Sequence, residues 1–303
     1  MPALRQLPRS STDAAAVMAI TTGAGVFRAP FEPLIPQWSC VPFNDLGQLE
    51  NVCKNNDIAA VVIEPIQVES GVRQASDDFM QTVRACCDRS GALLVLDEVQ
   101  TGLGRTGSAF AFQQCGVTPD VIALAKALGA GVVPIGATLA RKGLFHRAYG
   151  SYERCEAHNS TYGGNALACS VALAAVDAML EPALLANART LGETLAALCN
   201  EHLRDHTLVK GWRFHGLLGA MEMHNTTHPW FDWSALGMPE WRDKPSTGAL
   251  LVHRLHRRGF LLQLCGHDWN CLRIEPPLII NETDCRELIA AVKTELDWIA
   301  SYG

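Results

Sequence analysis

Two residues of opposite charge stand out from apolar surroundings. Asp97 ends the run ALLVLDEVQTG, and Lys126 stands alone in DVIALAKALGAGVVPIGAT, just before the chain breaks into glycines. A carboxylate at the carboxyl end of a buried strand lies where α/β sheets bind their ligands. A lysine buried among apolar groups has its charged form disfavoured, so its pKa falls and its amine becomes nucleophilic toward carbonyls. The commoner fate of such a lysine is to reach along its stem to water, and that of a lone Asp is to close a turn. A strand ending in Asp-Glu also presents magnesium in ATPases, but that chemistry needs a partner loop GxxxxGK[ST], which this sequence does not contain.

The segments LDEVQTGLGRTG, ALAKALGAGVVPIGA, HNSTYGGNALAC and LRIEPPL follow one another in this order. Together they closely resemble the class III aminotransferases from about Phe27 to the end. ALAKALGAGVVPIGAT and LRIEPPL are most similar to the putrescine and ornithine-type members. The resemblance implies a pyridoxal phosphate (PLP) enzyme of fold type I, with Lys126 as the Schiff-base lysine and Asp97 beside the pyridinium nitrogen. It further implies Val99 packed on the ring, Gln100 at the ring hydroxyl, and Thr161 reaching the phosphate of a neighbouring subunit in a homodimer with shared active sites. Arg273 then grips a substrate carboxylate, and Glu69, in EPIQVESGV, pairs with it in some members to admit amine ends. Val68 stands where relatives have glycine.

Physical chemistry agrees with these roles. A carboxylate keeps the ring nitrogen protonated and so makes the cofactor an electron sink. An arginine fork fixes a carboxylate in orientation as well as charge. Outside this context, Arg273 reads as a surface ion-pair residue, Thr161 as a turn residue ahead of Gly163 and Gly164, and Glu69 as a solvated loop acid. His158 and the His253/His256 pair have no cysteine or carboxylate at metal-ligand spacing, so no metal site is expected.

The implied reaction moves an amino group from an amine or amino-acid donor, a diamine or ω-amino acid by preference, to a 2-oxo acid. Two other readings stay open: a catalytically silent paralogue or pairing subunit, and another PLP reaction, decarboxylation or amino-group migration, on the same scaffold. Relatives carry a further N-terminal stretch with the loop that cradles the cofactor phosphate and an aromatic residue stacked on its ring. Here the likeness lapses before about Met18, and Thr12 and Asp13 stand near the place of the relatives' His-Gly. The expectation is a truncated chain with a weakened hold on phosphate and with an uncovered sheet edge and apolar faces.

The elements that would position these residues are legible from pattern. Residues 59–64, 92–97, 120–124 and 135–139 are short apolar runs that read as strands of a parallel sheet buried on both faces. A helix lies between the first two, with Ser76 as N-cap, Asp77 and Asp78 in its first turn, Phe79, Val83 and Cys87 on its apolar face, and Gly91 at its exit. Helices follow at 166–180, ending near Pro182, and at 184–203. Then come strands within 208–223, 260–265 and 271–274 and helices at 246–258 and 283–300. The expected architecture is α/β, a large domain with a mostly parallel sheet (1–205) and a smaller C-terminal α+β domain (206–303). Residues 225–245, with three tryptophans and three prolines, read as a long loop.

Bulk properties narrow the function classes. A chain of 303 residues with 48% hydrophobic and 18% charged residues has ample material for a core. A net charge of -6 argues against nucleic acid, and no apolar stretch of roughly 18 residues is present to span a membrane. The 11 cysteines are scattered without a CxxC, which favours a reducing compartment. The cytoplasm is expected, with a mitochondrion second, because Arg5, Arg9, Ser10 and Ser11 ahead of Ala14–Ile20 faintly resemble a transit segment. The glycosylation-like triplets at Asn225 and Asn281 read as accidental.

Overall fold

The computed structural model describes residues 39–54 and 58–302. The transit-like start, and the expected lapse of the family likeness before about Met18, fall outside the described residues. The chain divides into two compact units. Of the described residues, one comprises those up to Pro65 together with Ala75–Val99 and Phe112–Ala175; the other comprises Ile66–Gln74, Gln100–Ala111 and those from Val176 onward.

In chain order the elements begin with α1 (Leu46–Lys54), β1 (Ala60–Ile63) and a small hairpin of β2 (Ile66–Gln67) and β3 (Arg73–Gln74). There follow α2 (Asp77–Ser90), β4 (Leu93–Asp97), β5 (Val121–Leu124), β6 (Ala137–Ala140), α3 (Leu144–Tyr149), α4 (Ala166–Met179) and α5 (Pro182–His202). The rest is β7 (Val209–His215), β8 (Leu218–Met223), α6 (Thr247–Arg257), β9 (Gln263–Cys265), β10 (Asp268–Ile274) and α7 (Glu282–Ala300). The helix α5 therefore belongs to the second unit, ahead of residue 205 where the sequence pattern changes.

In the first unit the sheet order is β1-β4-β5-β6, with β1, β4 and β5 parallel. Two sequence expectations need correction here. The last strand, β6, runs antiparallel to β5, because the connection 125–136 holds only a 3-10 turn, Lys126–Gly129, and no crossover helix to bring the chain back. The strands are also covered on one face rather than two. Leu94 and Leu96 of β4 are fully buried while their neighbours are half-buried, and β6 is exposed throughout.

The helix α2 forms as its sequence dictates: the Ser76 hydroxyl accepts the Phe79 N–H at 3.2 Å, and Gly91 closes the helix at φ 73°. Its buried Phe79, Met80, Val83 and Cys87 pack with Leu49 of α1 and Leu94 and Leu96 of β4 into one core. A disulfide, Cys53–Cys86, ties α1 to α2, a pairing that the scattered cysteines did not announce and that runs against the expectation of reduced thiols. Asp120, ahead of β5, accepts the Leu94 N–H at 2.9 Å and pairs with Arg84 at 3.0 Å and Arg141 at 3.2 Å. Burial alone would raise its carboxyl, but the Leu94 N–H and the Arg84 guanidinium outweigh this and hold it below the usual range.

The second unit is an antiparallel sheet, β7-β8-β10-β9, whose buried side chains form a common core with α5, α6 and α7. Gly192 of α5 passes so close to the β7–β8 turn that a Cβ there would meet the Gly216 carbonyl oxygen at 2.2 Å. The helix α7 opens with a reciprocal cap between Asn281 and Asp284. The β2–β3 hairpin buries Ile66, Val68 and Val72 against Leu218, Ala220, Cys265 and Cys271.

The stretch 225–245 is the loop the sequence predicts, with short 3-10 turns at Pro229–Phe231 and Pro239–Trp241. It is pinned by Asn225, whose side-chain oxygen accepts the Ser246 N–H at 2.9 Å, and by the Trp233 indole N–H donating to the Lys244 carbonyl at 2.7 Å. The Trp233, Trp241 and Trp269 rings meet edge to face, with centroids 5.2 Å, 5.3 Å and 6.2 Å apart. Among the described residues no single helix is long and apolar enough to cross a membrane.

Candidate active site

The expected site residues fall into two groups, one in each unit. Asp97, Val99, Lys126 and Thr161 belong to the first, and Glu69, Gln100 and Arg273 to the second.

Because β4 and β5 are parallel neighbours with Asp97 in register with Ala123, both strands end at the same edge of the sheet. Asp97 closes β4, and its Oδ1 accepts the Val99 N–H at 3.0 Å, so the carboxylate stays at the strand end while the chain turns away. The next residue, Glu98, is buried and structural: its backbone N–H donates to Ala123 O at 3.0 Å and its Oε1 accepts the Phe112 N–H at 2.8 Å. Lys126 opens the 3-10 turn just beyond β5 at φ 45°, a left-handed conformation that costs a non-glycine residue about 1–3 kcal/mol. Lys126 is exposed, which corrects the expectation of a desolvated ammonium. Its apolar sequence neighbours belong to β5 and to the buried end of the turn, Leu128 and Gly129, while the lysine itself faces outward. Val99 is half-buried, and Thr161 lies in an exposed turn with Gly163 and Gly164.

The second group is assembled around Arg273 on β10, whose side chain is only 12% exposed. Its Nη1 pairs with Glu69 Oε1 and lies 3.5 Å from Gln100 Oε1, its Nη2 donates to Gln263 Oε1 at 2.6 Å, and its Nε meets Glu275 Oε2 at 3.1 Å. Glu69 is saturated in turn. Besides the arginine, its Oε1 accepts from Gln100 Nε2 at 3.2 Å, and its Oε2 accepts the Gly266 N–H at 2.8 Å. Burial would raise the Glu69 carboxyl, but the Gly266 N–H, the Arg273 charge and the Gln100 amide together hold it below the ordinary carboxylate range. Arg273, Gln263, Gly266 and Glu275 line a cavity of about 1380 Å³ that also takes in Trp241 and Trp269. Val68, in the place of the family's glycine, is fully buried, and Glu69 still reaches Arg273.

Sequence reasoning missed Gln263, Gly266 and Glu275. Glu275 was findable, since it stands two residues from Arg273 along the strand direction and so on the same side. Gln263 and Gly266 carry no motif.

The lysine and the acid fit pyridoxal phosphate: an exposed primary amine suits its aldehyde, and a carboxylate at the same sheet edge suits its ring nitrogen. A mixed sheet carrying these two residues at its carboxyl edge, together with an antiparallel α+β unit, defines a PLP-dependent transferase of fold type I. Residues 12–296 match the class-III aminotransferase family, whose cofactor is PLP, so the likeness begins ahead of Met18, where it was expected to lapse, and the chain belongs to that family. It is 37% identical over 281 residues to a putrescine aminotransferase of Pectobacterium atrosepticum, covering 91% of this chain and 55% of that protein. Among solved structures, an ornithine aminotransferase of Plasmodium yoelii is similar at 31% identity and a TM-score of 0.70 over 86% of this chain and 62% of that one. An aminotransferase of Bacillus anthracis is similar at 26% identity and a TM-score of 0.79, over 96% of this chain and 67% of that one. The chain thus spans about half the length of the curated relative it matches.

Proposed function

We propose that this chain carries the lysine-bearing and carboxylate-binding parts of a PLP-dependent aminotransferase that moves an amino group from a primary amine, a diamine or an ω-amino acid, to a 2-oxo acid. The observation that carries this reading is the arrival of Asp97 and Lys126 at one edge of a parallel strand pair. When bound, PLP supplies an electron sink for the carbon that bears the amine. Asp97 would hold the proton on the ring nitrogen. The Lys126 Nζ would take the proton from the donor's amine-bearing carbon and return it, as a general base placed by its turn. Val99 would pack against the ring and Gln100 would serve its hydroxyl.

Arg273 binds the carboxylate of the 2-oxo acid, and Glu69 covers the guanidinium when an amine end is present; their ion pair supports this alternation. Thr161 reaches the phosphate of a partner subunit, so the working form is a homodimer. The similarity to putrescine and ornithine aminotransferases supports the choice of donor.

The test is optical. Protein purified with PLP is expected to show a visible absorbance band that Lys126→Ala abolishes, and to transfer nitrogen from putrescine to 2-oxoglutarate. Absence of the band from the unmutated chain overturns the reading.

A further inference from the structure

Glu69 is held by more than its ion pair. Its Oε2 accepts the Gly266 N–H at 2.8 Å, its main-chain oxygen accepts the His267 N–H at 3.0 Å, and the neighbouring Ser70 Oγ lies 3.1 Å from His267 Nδ1. The turn that joins β9 to β10 therefore grips the tip of the β2–β3 loop at three points, and the same hairpin bears Arg273.

Gly266 is not a glycine for the sake of its backbone. It is not among the positive-φ glycines, so an L side chain suits its conformation. What its missing side chain leaves room for is a single group. A Cβ there would stand 3.0 Å from Glu69 Oε2 and 3.8 Å from Glu69 Cδ, with no other neighbour within 4 Å among the described residues.

We propose that Gly266 is the positioning residue that sets the preference of this site between amine and carboxylate ends, by holding Glu69 across Arg273. The inference rests on the reading of Arg273 as the substrate-carboxylate residue. A carboxylate that takes the Nη1 end of the arginine must displace Glu69, and the Gly266 hydrogen bond adds to what must be given up. An amine end instead meets a carboxylate already in place. Among the described residues nothing but the Glu69 carboxylate crowds the Cβ position, so one methyl group there acts on the gate and leaves the turn intact.

The test is a double-mutant cycle read by calorimetric binding of glutarate, a plain dicarboxylate, to the full chain. The four proteins are the unmutated chain, Gly266→Ala, Glu69→Gln and the double variant. In Gly266→Ala the backbone N–H remains, but the added methyl crowds Glu69 Oε2 at 3.0 Å, shifts the carboxylate and weakens its charge-assisted hydrogen bond; the variant is expected to bind glutarate about tenfold more tightly. In the Glu69→Gln background the same substitution is expected to change affinity by less than about twofold, since the amide left there no longer carries the charge that competes with glutarate for the arginine. His267→Ala, which loosens the same grip through Ser70, serves as a second variant if Gly266→Ala does not fold, with tightening of about threefold. The proposal is overturned by equal factors in both backgrounds, by no tightening in either single variant, or by no glutarate binding in any of these proteins. Glutarate binding needs neither cofactor nor turnover. A chain without the Lys126-dependent band therefore loses the wider reading while these affinities still decide this one.

Discussion

Glu69 and Arg273 meet across 204 residues of sequence, and their ion pair is the charged centre of the candidate substrate end. The Glu69 carboxyl lies below its ordinary value of 4.5 in the folded chain, so its contribution to stability is present above about that pH and is lost as pH falls through the lower folded value. Its side chain is 38% exposed, and solvent screening limits the effect to under about 1 kcal/mol. Urea titrations of the unmutated chain and Glu69→Gln should therefore differ by that small amount at neutral pH and converge in acid. A gap that widens as acid is added would contradict the assignment. The meeting of Asp97 and Lys126 at one sheet edge and of Arg273 with Glu69 was foreshadowed because each sits inside a short motif. Gly266 was not, because its importance lies in a contact with a residue 197 positions away and it belongs to no pattern. The exposure of Lys126 was misread for a related reason: apolar neighbours along the chain do not say which way a side chain in a tight turn will face.

The secondary-structure elements show the same division. The helix α2 was readable end to end, since capping and the apolar stripe are local properties. The direction of β6 was not, because it depends on what the connection can build rather than on the strand. The Cys53–Cys86 pairing was likewise invisible, being set by how α1 packs on α2. Asp120 links α2, β4 and the end of β6 through Arg84, Leu94 and Arg141. Replacing it with alanine leaves a buried backbone N–H without its acceptor and the half-buried Arg84 guanidinium with Asp88 as its remaining charge partner. Asp120→Ala is expected to cost about 3 kcal/mol in chemical denaturation. A loss under about 1 kcal/mol would show that the network is ornamental.

At the scale of the whole molecule, the first unit leaves large apolar side chains uncovered along one continuous stretch of sequence. Val132, Phe145, Tyr162, Leu167 and Leu173 are each at least 68% exposed. Monomeric proteins seldom leave so many large apolar groups in water, and the stretch contains Thr161. Sedimentation velocity on the full chain is expected to show a dimer at micromolar concentration, and Leu167→Glu together with Leu173→Glu to shift it toward monomer. A monomeric unmutated chain would remove the support for a shared site. The overall class was legible because the motif order survives in about half of a relative's length. The division into two units was not, because it depends on which segments touch.

The tryptophan cluster of the second unit has an optical consequence. Three indoles standing edge to face at 5.2 to 6.2 Å couple their electronic transitions, and Trp241 and Trp269 line the same cavity as Arg273. Trp269 lies on the strand that bears the arginine, so an anion settling there alters the field at an indole. The second unit thus carries its own unlabelled reporter, in near-ultraviolet circular dichroism and in emission, of what occupies its charged end.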